Sequence, residues 1–297
     1  MRLLICTQAV DKNDPILGFF HRWIEEFAKH SEQVTVISLR KGEYTLPPNV
    51  RVYALGPGNK LSRTMRFLRH IAVFRDEYSH VFVHMNPEYV VLGGLWWRIM
   101  GKRIGLWYSH KNVDLKLRLA TLFSNIVFTA SKESFRLRNA KVRIMGHGID
   151  TDFFSPDPSV VRGGWALSVG RLMPSKRHDL AIRFALREGK ELRIAGEGPE
   201  RTHLGALASE LGATVHFLGG ISQLQLRDEY RKAAYLIHTS ETGSLDKVVL
   251  EALACGLPIR TNDPALKSLE AEGPRHVREH HSLGRLIPAI LDSIQAI

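Results

Sequence analysis

Short apolar runs alternate with helical patterns along the chain. Runs rich in Val, Ile, Leu and Phe predict strands at Leu3–Thr7, Val34–Ser38, Val50–Ala54, His80–His84, Arg103–Tyr108, Asn125–Thr129 and Val142–Met145. Apolar positions at helical spacing lie between most of them, as in Phe19–Lys29 and Arg63–Asp76. A turn-rich stretch then intervenes, with Gly146, Gly148, Pro156, Pro158, Gly163 and Gly164. The alternation restarts with strands at Ala166–Val169, Leu192–Ala195, Thr214–Leu218, Ala234–Thr239 and Pro258–Thr261. Helices are predicted between them at Lys176–Glu188, Pro199–Leu211, Gln223–Ala233 and Leu245–Ala254. Strands separated by helices imply parallel sheets covered on both faces. Two such runs and one linker predict an α/β protein of two doubly wound domains, residues 1–158 and 159–297. Such sheets bind ligands at the carboxyl ends of their strands, so the cleft between the domains is the expected site.

Composition is compatible with this organisation. The 297 residues suffice for two domains, and a 44% hydrophobic content supplies two cores. Cys6 and Cys255 are far apart and form no metal-ligand spacing, which suits a reduced, cytoplasmic setting. The N-terminal run reads as a first strand rather than a signal peptide. The longest apolar stretch, Tyr89 to Tyr108, is broken by Arg98, Lys102 and Arg103, which argues against a spanning helix. The net charge of +11 is uneven: residues 1–160 hold 23 Lys/Arg against 14 Asp/Glu, residues 161–297 hold 18 against 16. The first half is the one suited to an anionic surface.

Candidate chemistry clusters at the predicted strand ends. In Ser168–Lys176 an apolar run stops at Gly170, Arg171 follows, and Lys176 opens the next helix with Ser175 as its cap. Cations at the positive end of a helix are misplaced unless an anion sits there, so the stretch reads as a diphosphate clamp; a solvated basic turn is the bland alternative. Ile194–Pro199, containing Glu197, is a further strand-to-helix turn, and Gly219, Gly220 and Ile221 let backbone approach a flat ligand. In Thr239–Ala252, Ser244 is the expected helix cap and Lys247 repeats the cation anomaly. Glu251 interrupts an apolar face, which fits either ribose hydroxyls or an ion pair. In the first half, Gly18 opens a helix and His110 follows a strand; each fits a ligand contact or an ordinary structural role.

These residues together resemble the family 4 (group 1) glycosyltransferases of the GT-B fold. The resemblance is carried by Gly146–Phe154 (GHGIDTDFF), Ser168–Ile182 (SVGRLMPSKRHDLAI), Ala195–Pro199 (AGEGP), Phe217–Ile221 (FLGGI) and Val249–Ile259 (VLEALACGLPI), in order and over residues 1 to about 262. It implies two Rossmann-like domains facing a central cleft, an acceptor-side domain first and a nucleotide-sugar domain second. It also implies transfer of a sugar from a UDP- or GDP-linked donor with retention of configuration and no metal or other cofactor. Arg171 and Lys176 are similar to the family's diphosphate-binding pair, Glu251 to its ribose-binding glutamate, and the Gly219–Ile221 turn to the segment beside the base. Gly18 is similar to the first-domain glycine that meets the donor, and His110 to the histidine near the transferred sugar. Gly170, Glu197, Gly220, Ile221, Ser244, Leu245, Asp246 and Lys247 complete the donor-binding set expected from these motifs.

Two departures stand out. Eight positions before Glu251, where the family usually has a second glutamate, stands Gly243; Glu241 is out of register, and Asp246 is the nearest replacement. The tail is also shorter than the family's, with Leu283–Ile297 as a reduced closing helix. A donor-binding relative without turnover and a nucleotide-sugar epimerase are therefore the alternative functions. A glycan or lipid-linked acceptor is expected and a nucleic-acid partner is not. The basic pattern Lys60–Arg75 carries a Leu61, Met65, Leu68, Ala72 stripe. It reads first as a helix packed on its sheet by that stripe, with attachment to an anionic membrane at the cytoplasmic face as the other reading.

Overall fold

A computed structural model describes residues 1–241 and 245–296. The chain divides into two units, Met1–Gly148 with Leu283–Ile297, and Ile149–Ser282. The division expected at 158/159 therefore moves to 148/149, and the last segment belongs with the first unit rather than the second.

The first unit is built on strands β1 (Arg2–Val10), β2 (Gln33–Lys41), β3 (Val50–Ala54), β4 (His80–His84), β5 (Arg103–Trp107), β6 (Ile126–Thr129) and β7 (Val142–Ile144), all parallel in the order β3-β2-β1-β4-β5-β6-β7. Its helices are α1 (Phe19–Lys29), α2 (Lys60–Val73), α3 (Pro87–Ile99), α4 (Leu115–Phe123) and the last helix, Leu283–Gln295. The period of two along the strands sorts the core into two layers. Leu3 and Ile5 of β1 and Phe82 of β4 pack with Phe20, Ile24 and Phe27 of α1 and with Leu286, Ile287 and Ile290 of the last helix. Leu4 and Cys6, with Val81 and Val83, face the other way onto Phe67 and Ile71 of α2, Val90 and Trp97 of α3 and Leu117 of α4. Helices α2, α3 and α4 thus form one layer on one face of the sheet.

The second unit repeats the plan with five parallel strands in the order β10-β9-β8-β11-β12. They are β8 (Ala166–Val169), β9 (Leu192–Ala195), β10 (Val215–Gly219), β11 (Tyr235–His238) and β12 (Ile259–Thr261). The helices are α5 (His178–Arg187), α6 (Arg201–Leu211), α7 (Gln223–Lys232), α8 (Lys247–Ala254), α9 (Pro264–Leu269) and α10 (Gly273–His280), which makes Leu283–Gln295 α11. Ala166, Leu192, Ile194 and Ile237 pack on α5 and α6, whereas Leu167, Ala195 and Leu236 pack on α7, α8 and α10. Among the described residues no helix is long and apolar enough to cross a membrane.

The observed boundaries correct two sequence expectations at the site. Helix α5 begins at His178, so Lys176 lies instead in a preceding 3-10 turn, Pro174–Lys176, followed by Arg177 with φ 50°. Ser175 is inside that turn and caps nothing. Helix α8 begins at Lys247 with Asp246 at its N-cap position, and the expected cap Ser244 lies outside the described residues, as does Gly243.

Candidate functional site

The second unit brings the carboxyl ends of β8, β9, β10 and β11 together. Three of the turns that follow interlock through backbone. Gly170 N–H donates to Ala195 O (3.0 Å), Leu172 N–H to Glu197 O (2.8 Å) and Gly196 N–H to Gly219 O (2.8 Å). The fit requires glycine at two points. Gly170 has φ 151° and Gly196 φ 144°, and a Cβ on Gly196 would lie 1.9 Å from Gly170 O. The glycine-rich turns seen in the sequence are therefore one tightly packed floor. Glu197 is exposed on it and accepts from Gly220 N–H at 3.2 Å, while Ile221 rests against the core below.

The two cations of the expected clamp sit differently. Arg171 is exposed, and among the described residues no carboxylate pairs with it. Lys176 is largely shielded and its Nζ lies 2.5 Å from Asp246 Oδ2 and 3.4 Å from Ser240 Oγ. The same Asp246 oxygen is 3.0 Å from Nε2 of buried His238, at the end of β11. Burial alone would raise the Asp246 carboxyl. The hydrogen bond from His238 and the charge of Lys176 outweigh it and hold the group well below the usual carboxylate range. Asp246 is thus an ionised tether for Lys176. Leu245 beside it packs partly into the core.

The tight turn carrying Lys176 has further anchors. Arg177 adopts a left-handed conformation that costs a non-glycine residue roughly 1 kcal/mol. Its guanidinium bonds both oxygens of Asp179 (3.0 and 3.1 Å) and also Glu241, and Thr239 Oγ1 donates to its carbonyl at 2.8 Å. Glu241 is thereby engaged with Arg177. Beneath the turn, His178 is buried, with Nδ1 3.0 Å from Ser168 Oγ and Nε2 without a hydrogen-bond partner. Burial pushes its imidazole down to about 4, so it is neutral at pH 7. His178 and His238 were not singled out from the sequence, because no periodicity marks a buried histidine. Arg177 was expected beside Lys176 in the first helical turn, but it precedes α5 in a left-handed position that composition would assign to glycine.

Glu251 is 2% exposed in α8. Its Oε1 is 3.1 Å from Lys247 Nζ and its Oε2 accepts from Tyr230 OH at 3.3 Å. This is the ion pair that stood as the alternative to a ribose contact, and it also explains Lys247 at the start of the helix. A carboxylate offers about four lone-pair positions, so the two contacts leave acceptor capacity. A cavity of about 690 Å³ lies to one side, between α5 and the β11–β12 edge, and its lining includes His238 and Thr239.

The first-unit candidates are separate features. Gly18 is buried at the start of α1, where a Cβ would meet Asp14 O at 2.5 Å, so packing inside its own loop accounts for the glycine. His110 is exposed in the loop after β5, accepts from Asn112 N–H at 3.1 Å and meets the Tyr108 ring edge-on.

Two units, each with a parallel sheet covered by helices, have the architecture of the GT-B fold. Residues 160–286 match the family model described as Glycosyl transferases group 1. A GDP-mannose-dependent alpha-mannosyltransferase of Mycobacterium tuberculosis is 30% identical over 170 residues, 54% of this chain and 42% of that protein. A D-inositol 3-phosphate glycosyltransferase of Mycobacteroides abscessus is 35% identical over 138 residues, 40% of this chain and 31% of that protein. The chain thus spans less than half the length of these relatives. Among solved structures, HepE of Anabaena in complex with UDP superposes with a TM-score of 0.74 at 14% identity, covering 100% of both chains. WaaG, a glycosyltransferase involved in lipopolysaccharide biosynthesis, superposes with a TM-score of 0.68 at 14% identity, covering 99% of this chain and 100% of that one. Residues 160–286 are thus similar to the group 1 glycosyltransferases, and the whole chain shares the fold of the solved glycosyltransferase structures.

Proposed function

We propose that the protein transfers a sugar from a nucleoside-diphosphate sugar to an acceptor hydroxyl, with retention of configuration and without a metal ion. The observation that carries the reading is the asymmetric cation pair on the glycine floor. Among the described residues no carboxylate pairs with exposed Arg171, whereas Lys176 is held by Asp246, which His238 in turn bonds. As the glycosidic bond breaks, negative charge grows on the leaving diphosphate. Preorganised cations and backbone N–H groups lower that barrier because they need no reorganisation at the moment of reaction. Lys176 has three N–H donors, of which Asp246 and Ser240 take two, so it can meet a phosphate oxygen with the third while still tethered. Glu251 retains acceptor positions for ribose hydroxyls, and the Gly219–Ile221 turn supplies a flat surface for the base. The acceptor hydroxyl would pass its proton to the leaving phosphate. The names of the relatives, one GDP-mannose-dependent, one acting on D-inositol 3-phosphate and one solved with UDP, support a UDP- or GDP-linked donor and a hydroxyl-bearing acceptor such as a polyol phosphate.

Thermal unfolding in the presence of a panel of UDP-, GDP- and ADP-sugars tests the reading. One base is expected to raise the midpoint, and Arg171→Ala and Lys176→Ala are expected to abolish that rise and cut turnover by roughly a hundredfold or more with folding kept. Stabilisation with no transfer or donor hydrolysis would identify a donor-binding relative. An isomerised donor would identify an epimerase.

A further inference from the structure

Helices α2, α3 and α4 cover one face of the first sheet, and each carries two apolar stripes. One is buried: Phe67 and Ile71 in α2, Val90 and Trp97 in α3, Leu117 and Ala120 in α4. The other points to solvent at helical spacing. In α2 it is Leu61, Met65 and Leu68; in α3 it is Leu92, Leu95, Trp96 and Ile99; in α4 it is Leu115, Leu119 and Leu122. Leu61 is 69% exposed, Ile99 72% and Leu122 64%. Scattered exposed leucines are ordinary, but aligned stripes on three neighbouring helices are an apolar surface that a monomer in water has no reason to keep. The expectation that the Leu61–Met65–Leu68 stripe packs α2 onto its sheet is thereby overturned, because Phe67 and Ile71 do so instead.

The charge on the same helices selects the occupant. The three helices contain seven Lys/Arg and a single acidic residue, Glu88, which pairs with Lys116. Lys60, Arg69, Arg98, Lys116 and Arg118 are exposed beside the apolar stripes. Aliphatic and indole side chains between snorkelling cations suit the boundary between acyl chains and anionic headgroups. A second copy of the chain would set these cations against each other.

We propose that the α2–α3–α4 face docks on the surface of a bilayer containing anionic lipid. Docking also gives a neighbouring cavity a role. About 450 Å³ in volume, it is lined in part by Lys60, Arg63, Phe67, Tyr89, Leu92 and Lys116, and so shares side chains with the docking face. A membrane-borne acceptor would reach it along the interface. The proposal goes beyond the donor reading, and its test uses no nucleotide.

The test is co-sedimentation of the full chain with phosphatidylcholine vesicles with and without phosphatidylglycerol. Binding to the anionic vesicles is expected to exceed binding to neutral ones by at least about tenfold and to fall as salt is raised. The triple substitution Leu61→Gln, Ile99→Gln, Leu122→Gln removes no buried side chain, and is expected to weaken binding by at least about tenfold with an unchanged circular dichroism spectrum. The charge variant Arg69→Glu, Arg118→Glu is expected to do the same. Failure to bind anionic vesicles, or equal binding to neutral ones, overturns the proposal. So does a concentration-dependent dimer that the triple substitution dissolves while vesicle binding is absent.

Discussion

At the scale of single residues, the site is a set of tethers around one lysine. Lys176 faces Asp246 at 2.5 Å, and a diphosphate arriving at Lys176 meets that carboxylate's charge as well. Asp246→Asn is therefore expected to divide two observables. Affinity for the nucleoside diphosphate should rise several-fold, because a negative charge beside the anion is gone. Turnover should fall roughly tenfold to a hundredfold, about 1.4–2.7 kcal/mol, because Nζ loses its fixed position. Calorimetry and steady-state rates on the same variant separate the two, and no change in either removes Asp246 from the site. His178 makes a different prediction. Its folded value of about 4 is depressed from an unfolded value near 6.5, so the unfolded chain binds the proton more readily. The stability it contributes is complete above about pH 6.5 and is lost as pH falls through that value towards 4, a loss on the order of 3 kcal/mol. Urea unfolding of wild type and His178→Asn at pH 7 and pH 4.5 is expected to show a shallower pH dependence in the variant. Parallel losses would assign the dependence elsewhere. Arg171, Lys176 and Glu251 stood out in the sequence because their charge conflicted with the positions expected for them, but the structure puts Lys176 in a turn before α5 and pairs Glu251 with Lys247. His178 and His238 did not stand out, because a buried histidine leaves no mark on hydrophobic periodicity.

At the scale of elements, the strand ends were readable because apolar runs stopped at glycine. What the sequence could not convey was that the turns touch. The contact of Gly196 with Gly170 O is made between residues brought together only by the pairing of β8 with β9. Gly196→Ala is expected to cost roughly 3 kcal/mol or more and to abolish donor stabilisation, since both the φ of 144° and the 1.9 Å approach must give. Gly189 provides the control. Its φ is also positive, at 63°, but a Cβ there meets nothing within 4 Å, so Gly189→Ala should cost only about 1 kcal/mol. Equal midpoints for the two variants in urea would show that the turns part easily. Helix boundaries were misread at α5 and α8 for a related reason. Arg177 and Asp246 stand where the backbone enters the helix, yet side-chain type alone favoured Ser175 and Ser244 as caps. For α2 the difficulty was one of choice, because two stripes share one helix and periodicity does not say which meets the sheet.

At the scale of the molecule, the chain runs through the first unit to Gly148, builds the second, and returns at Leu283 to complete the first. The apolar period of Leu283–Ile297 predicted a helix, but a helix of either unit would show the same period. The assignment comes from partners. Leu286, Ile287, Ile290, Leu291 and Ile294 are at most 4% exposed, in one cluster with α1 and the strands β1, β2, β4 and β6, and Ile294 lies against Gly105 of β5. This gives a prediction that the tryptophans can report. Four of the five, Trp23, Trp96, Trp97 and Trp107, are in the first unit, so Trp165→Phe leaves a chain whose indole fluorescence reports that unit alone. In this background Ile290→Ala removes a fully buried side chain and should destabilise the fluorescence-detected transition by about 2–5 kcal/mol. Leu236→Ala, an equivalent truncation in the core of the second unit, should leave that transition in place while lowering the midpoint seen by donor-induced stabilisation. An unmoved tryptophan midpoint in Ile290→Ala would mean that α11 contributes nothing to the first unit. A midpoint lowered equally by both substitutions would mean that the two units unfold as one, because only a shared transition passes a loss in one core to the indoles of the other.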